Sequence, residues 1–242
     1  MKLQLLRNAT QVLTVNDKQI LIDPMLGPKG AYDTIIMTDN GLRNPLVDLP
    51  VDPQELIKDI DAVLLTHLHN DHWDPVAREL LPKAIPLFCQ AGDEDKIREA
   101  GFTNITPIEN NITWQGISIS RTSGQHGTGE IGALMGKVSG YVINDLYIAG
   151  DTIWCSDVQN AIDQYQPKHI VLNGGAAQFV KGDPIVMSID DIRKVSAYAP
   201  AATLIIVHLE AVNHSRQSRE QIKAAFPNQK VWVPDDGDFF YI

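Results

Sequence analysis

The chain has little of several features that would place it in a special class of protein. It has two cysteines, Cys89 and Cys155, which stand far apart, so neither a disulfide framework nor a thiolate zinc site is predicted. No apolar run approaches the roughly 18 residues that a membrane-spanning helix needs, and the first residues lack a long apolar signal region. We therefore predict a cytoplasmic protein that has no contact with a membrane.

Positive charge is also scarce. The 242 residues include 20 lysines and arginines against 30 aspartates and glutamates, which gives a formal net charge of -10. Such a chain is poorly suited to present an extended basic surface to phosphate backbones. Nucleic acid is therefore not expected as a partner, although bound divalent cations could hold a phosphate locally.

Nothing in the sequence divides the chain into separate units. Hydrophobic residues make up 44% and charged residues 21%, as in ordinary globular proteins, and glycine and proline are scattered rather than pooled in a linker. We predict one domain over residues 1–242.

Apolar patterning predicts strands in both halves of the chain, with helices between some of them. Strands are predicted near 19–22, 62–65, 117–120, 138–143, 146–149, 170–172 and 204–207. Helices are predicted to begin at Pro53 and at Pro75, after the capping residues Asp52 and Asp74, and further helices are predicted near 93–100, 189–199 and 215–226. Residues 27–50, hereafter the excursion, have little periodicity and could form a pocket wall. Strands and helices that do not strictly alternate favour an α+β fold of two packed sheets with helices outside.

Four groups that can bind a metal fall within six residues of one another: His67, His69, Asp71 and His72. They follow a predicted buried strand, and in an extended segment His67 and His69 point to the same side. Without a metal, such crowded groups would lose hydration and repel one another when protonated, and a divalent cation relieves both problems. The segment therefore predicts a metal site.

The pattern His-x-His-x-Asp-His after a buried strand resembles the hallmark of the metallo-β-lactamase fold superfamily. Four further residues lie after apolar segments where that superfamily has functional side chains, namely Asp23, His126, Asp151 and His208. The resemblance covers most of the chain. It implies a four-layer αβ/βα sandwich, in which two mixed β-sheets are flanked by helices.

The resemblance also implies a centre with two divalent metal ions. It assigns one metal to His67, His69 and His126, and a second to Asp71, His72 and His208, with Asp151 shared between them and Asp23 supporting the ligand histidines. Imidazole and carboxylate ligands suit zinc, our default, and also manganese, iron or nickel. A histidine at position 69, rather than the glutamate of the oxygen-reducing di-iron members, indicates hydrolysis.

A dinuclear centre lowers the pKa of a bridging water into the neutral range and polarises the substrate. We therefore expect a metal-activated bridging hydroxide as the nucleophile. Asp71 or Asp151 would orient this water or handle its proton, so no serine or cysteine nucleophile is needed.

The segments Arg7–Gln11, Ile22–Pro24 and Gly150–Thr152 look similar to the superfamily branch of UlaG-like L-ascorbate-6-phosphate lactonases. That resemblance implies a small-molecule substrate, namely a lactone or other small carboxylic ester with or without a phosphate group, and often a homo-oligomer. Two alternatives remain open. One is a phosphodiesterase or ribonuclease with the same dinuclear site, and the other is a non-catalytic metal-binding protein.

Three further residues are candidates for substrate binding. Asn213 and His214 follow His208 closely enough to reach the same pocket, where either could bind substrate or donate a proton. They could equally cap a following helix. Arg43, in the excursion, could contact a phosphate or carboxylate group.

Overall fold

Two mixed β-sheets packed face to face form the centre of the molecule. A computed structural model describes residues 1–227 and 230–242, and within them each sheet has seven strands. The strands are β1 (Lys2–Arg7), β2 (Thr10–Val15), β3 (Lys18–Ile22), β4 (Ala62–Leu64), β5 (Leu87–Gln90), β6 (Ile105–Ile108), β7 (Asn111–Trp114), β8 (Ile117–Ser123), β9 (Ser139–Ile143), β10 (Leu146–Ile148), β11 (His169–Asn173), β12 (Thr203–Val207), β13 (Val231–Trp232) and β14 (Phe239–Tyr241).

Both sheets combine an antiparallel part with a parallel part. The first sheet has the order β14-β1-β2-β3-β4-β5-β6, in which β14 to β3 pair antiparallel and β3 to β6 pair parallel. The second sheet has the order β13-β12-β11-β10-β9-β8-β7, in which β7 to β10 pair antiparallel and β10 to β13 pair parallel.

In the described part of the chain, helices cover the outer faces of both sheets, except that α4 lies beside a cavity at the end of the sandwich. They are α1 (Pro53–Leu56), α2 (Pro75–Leu80), α3 (Glu94–Glu99), α4 (Gly129–Met135), α5 (Ser156–Tyr165), α6 (Ile189–Tyr198) and α7 (Arg219–Ala225), and a 3-10 turn, Ile57–Asp59, follows α1. The predicted four-layer sandwich is confirmed. Among the described residues, no helix has both the length and the apolar character that a bilayer crossing demands.

The alternation of side chains along each strand explains the layers. In β12, Ile205 and Val207 point into the core between the sheets, whereas Leu204 and Ile206 pack against the helices outside. The whole strand is apolar because both of its faces are buried, as is usual for parallel strands that are covered on both sides.

Side-chain caps fix where several helices begin. Asp74 accepts a hydrogen bond from the backbone N–H of Ala77 and starts α2, as the sequence indicates. The last helix was expected from about Ser215 but begins at Arg219, because Ser218 forms a capping box with Gln221. Helices α4 and α5 had no counterpart in the sequence-based prediction.

The excursion folds over the end of the sandwich without a regular helix or strand. Its one bridge within the described residues pairs Tyr32 with Asn44. The base of the excursion is fixed by Arg7, a fully buried residue whose guanidinium donates hydrogen bonds to the carbonyl groups of Met25, Gly27 and Val47. The segment is therefore an ordered wall.

Candidate metal centre

Every predicted ligand lies on a loop that follows a strand, and these loops meet at one end of the sandwich. His67 to His72 follow β4 of the first sheet. His126, Asp151 and His208 follow β8, β10 and β12 of the second sheet. The structure therefore brings together seven side chains that are up to 141 residues apart, as the positions 67 and 208 show.

The first group consists of His67, His69 and His126, whose candidate ligand atoms all lie within 4.8 Å of one another. His126 Nδ1 donates a hydrogen bond to the carbonyl oxygen of Ile185 at 2.8 Å. This contact fixes the tautomer, so that Nε2 is the nitrogen left to bind a metal. The facing nitrogens of His67 and His69 are 2.9 Å apart, as expected for two lone pairs directed at one cation.

The second group consists of Asp71, His72, Asp151 and His208, again with candidate ligand atoms within 4.8 Å. His208 Nε2 lies 3.2 Å from Asp71 Oδ2. Asp151 Oδ2 lies 3.2 Å from His72 Nε2 and 3.5 Å from His126 Nε2, a member of the first group. Asp151 therefore stands between the two groups, where a shared carboxylate has to be.

Asp23 supports both halves of the histidine segment from behind. One of its carboxylate oxygens accepts a hydrogen bond from the backbone N–H of Thr66 at 2.8 Å. The other accepts from the Thr66 hydroxyl at 2.6 Å and from His72 Nδ1 at 2.8 Å. His72 Nε2 is thereby turned to the centre, where it is buried without a hydrogen-bond partner in the described part of the chain. An orphaned buried nitrogen of this kind fits a metal ligand.

The charges of the second group favour a bound cation. Burial alone would raise the pKa of Asp151, but the imidazoles of His72, His208 and His126 together outweigh it and hold that pKa well below its usual value. Burial would lower the pKa of His72, but Asp151 and Asp71 raise it well above its usual value. A divalent cation held by these residues would supply the positive charge that the carboxylates stabilise, in place of protons.

The imidazole of His67, in the first group, is held in the neutral form. Burial and the charge of His72 both keep the pKa of His67 well below its usual value. A neutral imidazole is the form that binds a metal. Both groups therefore fit divalent metal ions by the chemistry of their donors.

A cavity of about 740 Å³ opens onto both groups. Its floor includes His69, Asp71, His126 and Asp151, and its walls are largely apolar. The wall side chains come from the excursion, from α4 and from the loops after β11 and β12, and include Ile35, Met37, Leu134, Met135, Phe179, Ile185 and Val212. A concave apolar pocket that ends on a few polar groups is typical of a small-molecule site.

Arg43 lines this cavity but is engaged elsewhere. Its guanidinium pairs with Asp33 and donates to the carbonyl groups of Gly30 and Ala31 in the same loop. Its side chain is 55% exposed. The predicted phosphate or carboxylate contact would require this residue to leave its partners.

Asn213 holds the excursion in place and caps no helix. Its Oδ1 accepts from Ile35 N and Asn44 Nδ2, and its Nδ2 donates to Thr34, Thr38 and Asn40. These bonds use its side-chain donors and acceptors and leave none directed at a substrate. His214, in contrast, lines the cavity and is buried.

One positioning residue had been overlooked in the sequence. Asn173, at the end of β11, donates a hydrogen bond from Nδ2 to Asp151 Oδ1 at 2.6 Å. The signal was present, because a polar residue ends the apolar run Ile170–Leu172 just as ligands end other strands. Asn173 fixes the orientation of the carboxylate between the two groups.

Comparisons with known proteins agree with this geometry. A model of the Beta-lactamase superfamily domain matches residues 18–209. The chain is 40% identical over 253 aligned residues to the UPF0173 protein YddR of Bacillus subtilis (strain 168), with 99% of each covered. It is also 26% identical over 199 residues to a UPF0173 metal-dependent hydrolase of Methanoculleus marisnigri, which covers 76% of this chain and 81% of that one.

Two solved structures superpose over the whole chain. A possible metal-dependent hydrolase from Veillonella parvula has a TM-score of 0.95 and 33% identity, and an isothiocyanate hydrolase from Delia radicum gut bacteria has a TM-score of 0.95 and 35% identity. Each match covers 100% of this chain and 99% of the other.

The chain belongs to the beta-lactamase superfamily and, within it, to the UPF0173 group of metal-dependent hydrolases. The predicted superfamily and enzyme class are thereby confirmed. Membership of the UlaG-like branch stays a prediction.

Proposed function

We propose that this chain binds two divalent metal ions, zinc by default, and hydrolyses small, uncharged and largely apolar compounds at an electrophilic carbon. The first ion would be held by His67, His69 and His126, and the second by Asp71, His72 and His208, with Asp151 between them. When bound, the ions supply a nucleophilic hydroxide at neutral pH and polarise the substrate. The observation that carries the substrate class is the apolar wall of the cavity.

The two central carboxylates have different roles in this proposal. The side chain of Asp71 is 15% exposed and reaches the cavity, whereas that of Asp151 is 4% exposed and is held by Asn173. The Asp71 carboxylate would therefore be the better placed of the two to take a proton from the attacking water. Asp151 would link the two metal groups and fix their relative position.

The lining of the cavity disfavours a phosphorylated substrate. Among the described lining residues, Arg43 alone is a lysine or arginine, and its charge is already paired with Asp33. A phosphate bound between these walls would lose its hydration without gaining a free cation from the protein. Of the substrates that the sequence predicts, we therefore favour lactones and small carboxylic esters that carry no phosphate group.

Isothiocyanates are a second substrate class with specific support. They are neutral, their central carbon is electrophilic, and their hydrocarbon substituent suits an apolar cavity. The support is the isothiocyanate hydrolase noted above, to which this chain is 35% identical over its full length. A phosphodiester or RNA suits the site less well, because the chain carries a net charge of -10 and the cavity walls are apolar.

The test is a substrate panel measured on protein reconstituted with zinc or with manganese. The panel contains phenethyl isothiocyanate, an unsubstituted lactone, phenyl acetate and a bis-aryl phosphodiester. We expect turnover of one of the neutral carbon electrophiles to exceed that of the phosphodiester, to stop on chelation and to return when metal is added back. Preferential cleavage of the phosphodiester, or turnover that survives exhaustive metal removal, would contradict the proposal.

A pair of histidine variants controls for general damage. His67→Ala removes a proposed ligand and should abolish turnover. His169→Ala changes a half-buried histidine that packs against Phe240 and lies outside the cavity, so it should leave turnover unchanged.

A further inference from the structure

His214 is the buried polar group of the cavity that neither metal group uses. Its exposed fraction is 5%, and its Nδ1 is sealed from solvent without a hydrogen-bond partner. Within residues 1–227 and 230–242, Nε2 of His214 likewise has no hydrogen-bond partner. A buried imidazole that has no internal partner requires an explanation.

The other polar residues of the cavity wall have such partners. Tyr32 donates its hydroxyl to Asp74, and Thr34 accepts from Asn213. Arg43 is paired with Asp33, and Asn70 is exposed and accepts from Arg78. Outside the metal groups, His214 is therefore the buried polar wall residue, among those described, whose side chain has no hydrogen-bond partner.

The ring of His214 is also held in a fixed orientation. It stacks on the ring of Phe179 with centroids 5.8 Å apart and planes inclined by 23°. Its own carbonyl oxygen accepts from the backbone N–H of Gln178 at 3.0 Å, and the neighbouring Asn213 is fixed by the excursion. Because the imidazole is already fixed, it loses little further conformational entropy when it binds a ligand.

The proton of this ring is expected on Nε2. Burial lowers the pKa of His214 to about 4, against the attraction of Asp71 and Asp151, so the ring is neutral near pH 7. Buried N–H groups without an acceptor are rarer than buried acceptors without a donor, so the sealed Nδ1 is the unprotonated nitrogen. Nε2–H is then free to donate into the cavity.

We propose that His214 binds the substrate by donating a hydrogen bond from Nε2–H to the substrate heteroatom on which negative charge develops. This inference rests on the proposed function, because it places a substrate over the two metal groups. A donor fixed in advance and directed at developing charge acts more strongly in the transition state than in the bound substrate. His214 is therefore a catalytic residue that holds its proton throughout, and no proton transfer is assigned to it.

The test uses four zinc-loaded proteins: the wild type, His214→Phe, His214→Gln and His169→Phe. The phenylalanine keeps a ring against Phe179 but has no donor, and the glutamine keeps a donor but has no ring. His169 is the matched control, because it also has an unpartnered Nδ1 and lies outside the cavity. Zinc content, the thermal unfolding midpoint, the dissociation constant of benzohydroxamate and the steady-state constants are measured for each.

Benzohydroxamate is the probe because it joins an apolar ring to oxygen atoms that carry negative charge. Its affinity can be measured whether or not a substrate is known. We expect His214→Phe to weaken its binding about tenfold, the usual effect of one lost hydrogen bond, and to lower kcat about a hundredfold with a smaller change in KM. His214→Gln should recover most of the lost affinity for benzohydroxamate and most of the lost kcat, and His169→Phe should match the wild type in both. Zinc content should be equal in all four.

The outcomes separate this inference from the proposed function. If the wild type hydrolyses nothing in the substrate panel, the proposed function fails, but the benzohydroxamate affinities still decide the role of His214. The inference is overturned if His214→Phe binds benzohydroxamate as tightly as the wild type does. It is also overturned if His214→Gln binds benzohydroxamate as weakly as His214→Phe does. Loss of zinc in either variant also overturns it, because His214 would then support the metals rather than the substrate.

Discussion

At the scale of single residues, Asp23 has the most influence on the centre without lining the cavity. It binds Thr66 and His72 through three hydrogen bonds, so its carboxylate sets which nitrogen of His72 faces the metals. Asp23→Asn replaces an acceptor with a donor and should weaken metal binding about 10- to 100-fold. Competition with a chelator measures this change.

The control for Asp23→Asn is Asp61→Asn, which breaks the ion pair with Lys18 away from the centre. It should leave metal affinity unchanged. Equal metal affinity in the two variants would show that orientation of His72 by Asp23 contributes nothing.

A second prediction at this scale concerns Arg43. Because its guanidinium is bound to Asp33 and to two carbonyl groups of its own loop, Arg43→Gln should leave kcat/KM for neutral substrates within about twofold of the wild type. Arg98→Gln, which breaks the exposed pair with Asp95, is the matched control. A selective loss of turnover for a phosphorylated lactone would instead restore Arg43 as a substrate contact.

The side chains that meet at the candidate metal centre could be predicted from sequence because they carry local signals. His67 to His72 crowd one loop, and Asp151 and His208 end apolar runs. The role of Asn213 had no such signal, since its partners are 169 to 179 residues away in the chain. Adjacency to His208 predicts substrate binding for both Asn213 and His214, but the Asn213 side chain is bound to the excursion, whereas His214 lines the cavity.

At the scale of elements, the excursion depends on Asn213 as its anchor. Asn213→Ala removes five side-chain hydrogen bonds to residues 34–44 and leaves several of their partners unsatisfied. We expect the free energy of unfolding to fall by about 2–4 kcal/mol. Limited proteolysis within residues 31–44 should become faster, while metal content stays the same.

Denaturant unfolding and proteolysis together check this prediction. Asn104→Ala is the matched control, because Asn104 donates one exposed hydrogen bond, to the Ala84 carbonyl. If both variants resist protease as the wild type does, the excursion is held by other contacts, such as those of Arg7.

Elements were predicted well where a strand or a cap has a local signature. The apolar strands β11 and β12 and the cap at Asp74 are examples. Helix α4 was missed because Gly129 and Gly132 lower its intrinsic helix preference. Its apolar residues Leu134 and Met135 meet the cavity rather than the sandwich core, so the core does not dictate the pattern.

At the scale of the molecule, each of the two groups that could hold a metal draws its candidate ligands from both sheets. The first group joins His67 and His69 of the first sheet to His126 of the second, and the other group joins Asp71 and His72 to Asp151 and His208. A bound ion would therefore tie the two sheets together, and we expect it to bind the folded chain far better than the unfolded one. Metal at a hundredfold excess over its dissociation constant should add about 2.7 kcal/mol to stability for each site that it fills.

Scanning calorimetry of the chelated and the reconstituted protein measures this effect. We expect a higher unfolding midpoint with metal and a midpoint that rises with free metal concentration. His67→Ala combined with His208→Ala should abolish the response. A midpoint that is independent of metal would mean that metal does not bind the folded chain better than the unfolded one, which would contradict the prediction.

The cavity walls come mainly from segments that hold no proposed ligand: the excursion, α4 and the loop after β11. Selection can therefore alter these walls, by exchange of side chains or insertion of residues, while the reactive centre stays intact. Specificity and reactivity can then evolve separately. The excursion could be replaced by the corresponding segment of a relative, provided that the contacts of Arg7 and Asn213 are kept. Such a chimaera should acquire the substrate range of the donor protein and keep the metal affinity of the recipient.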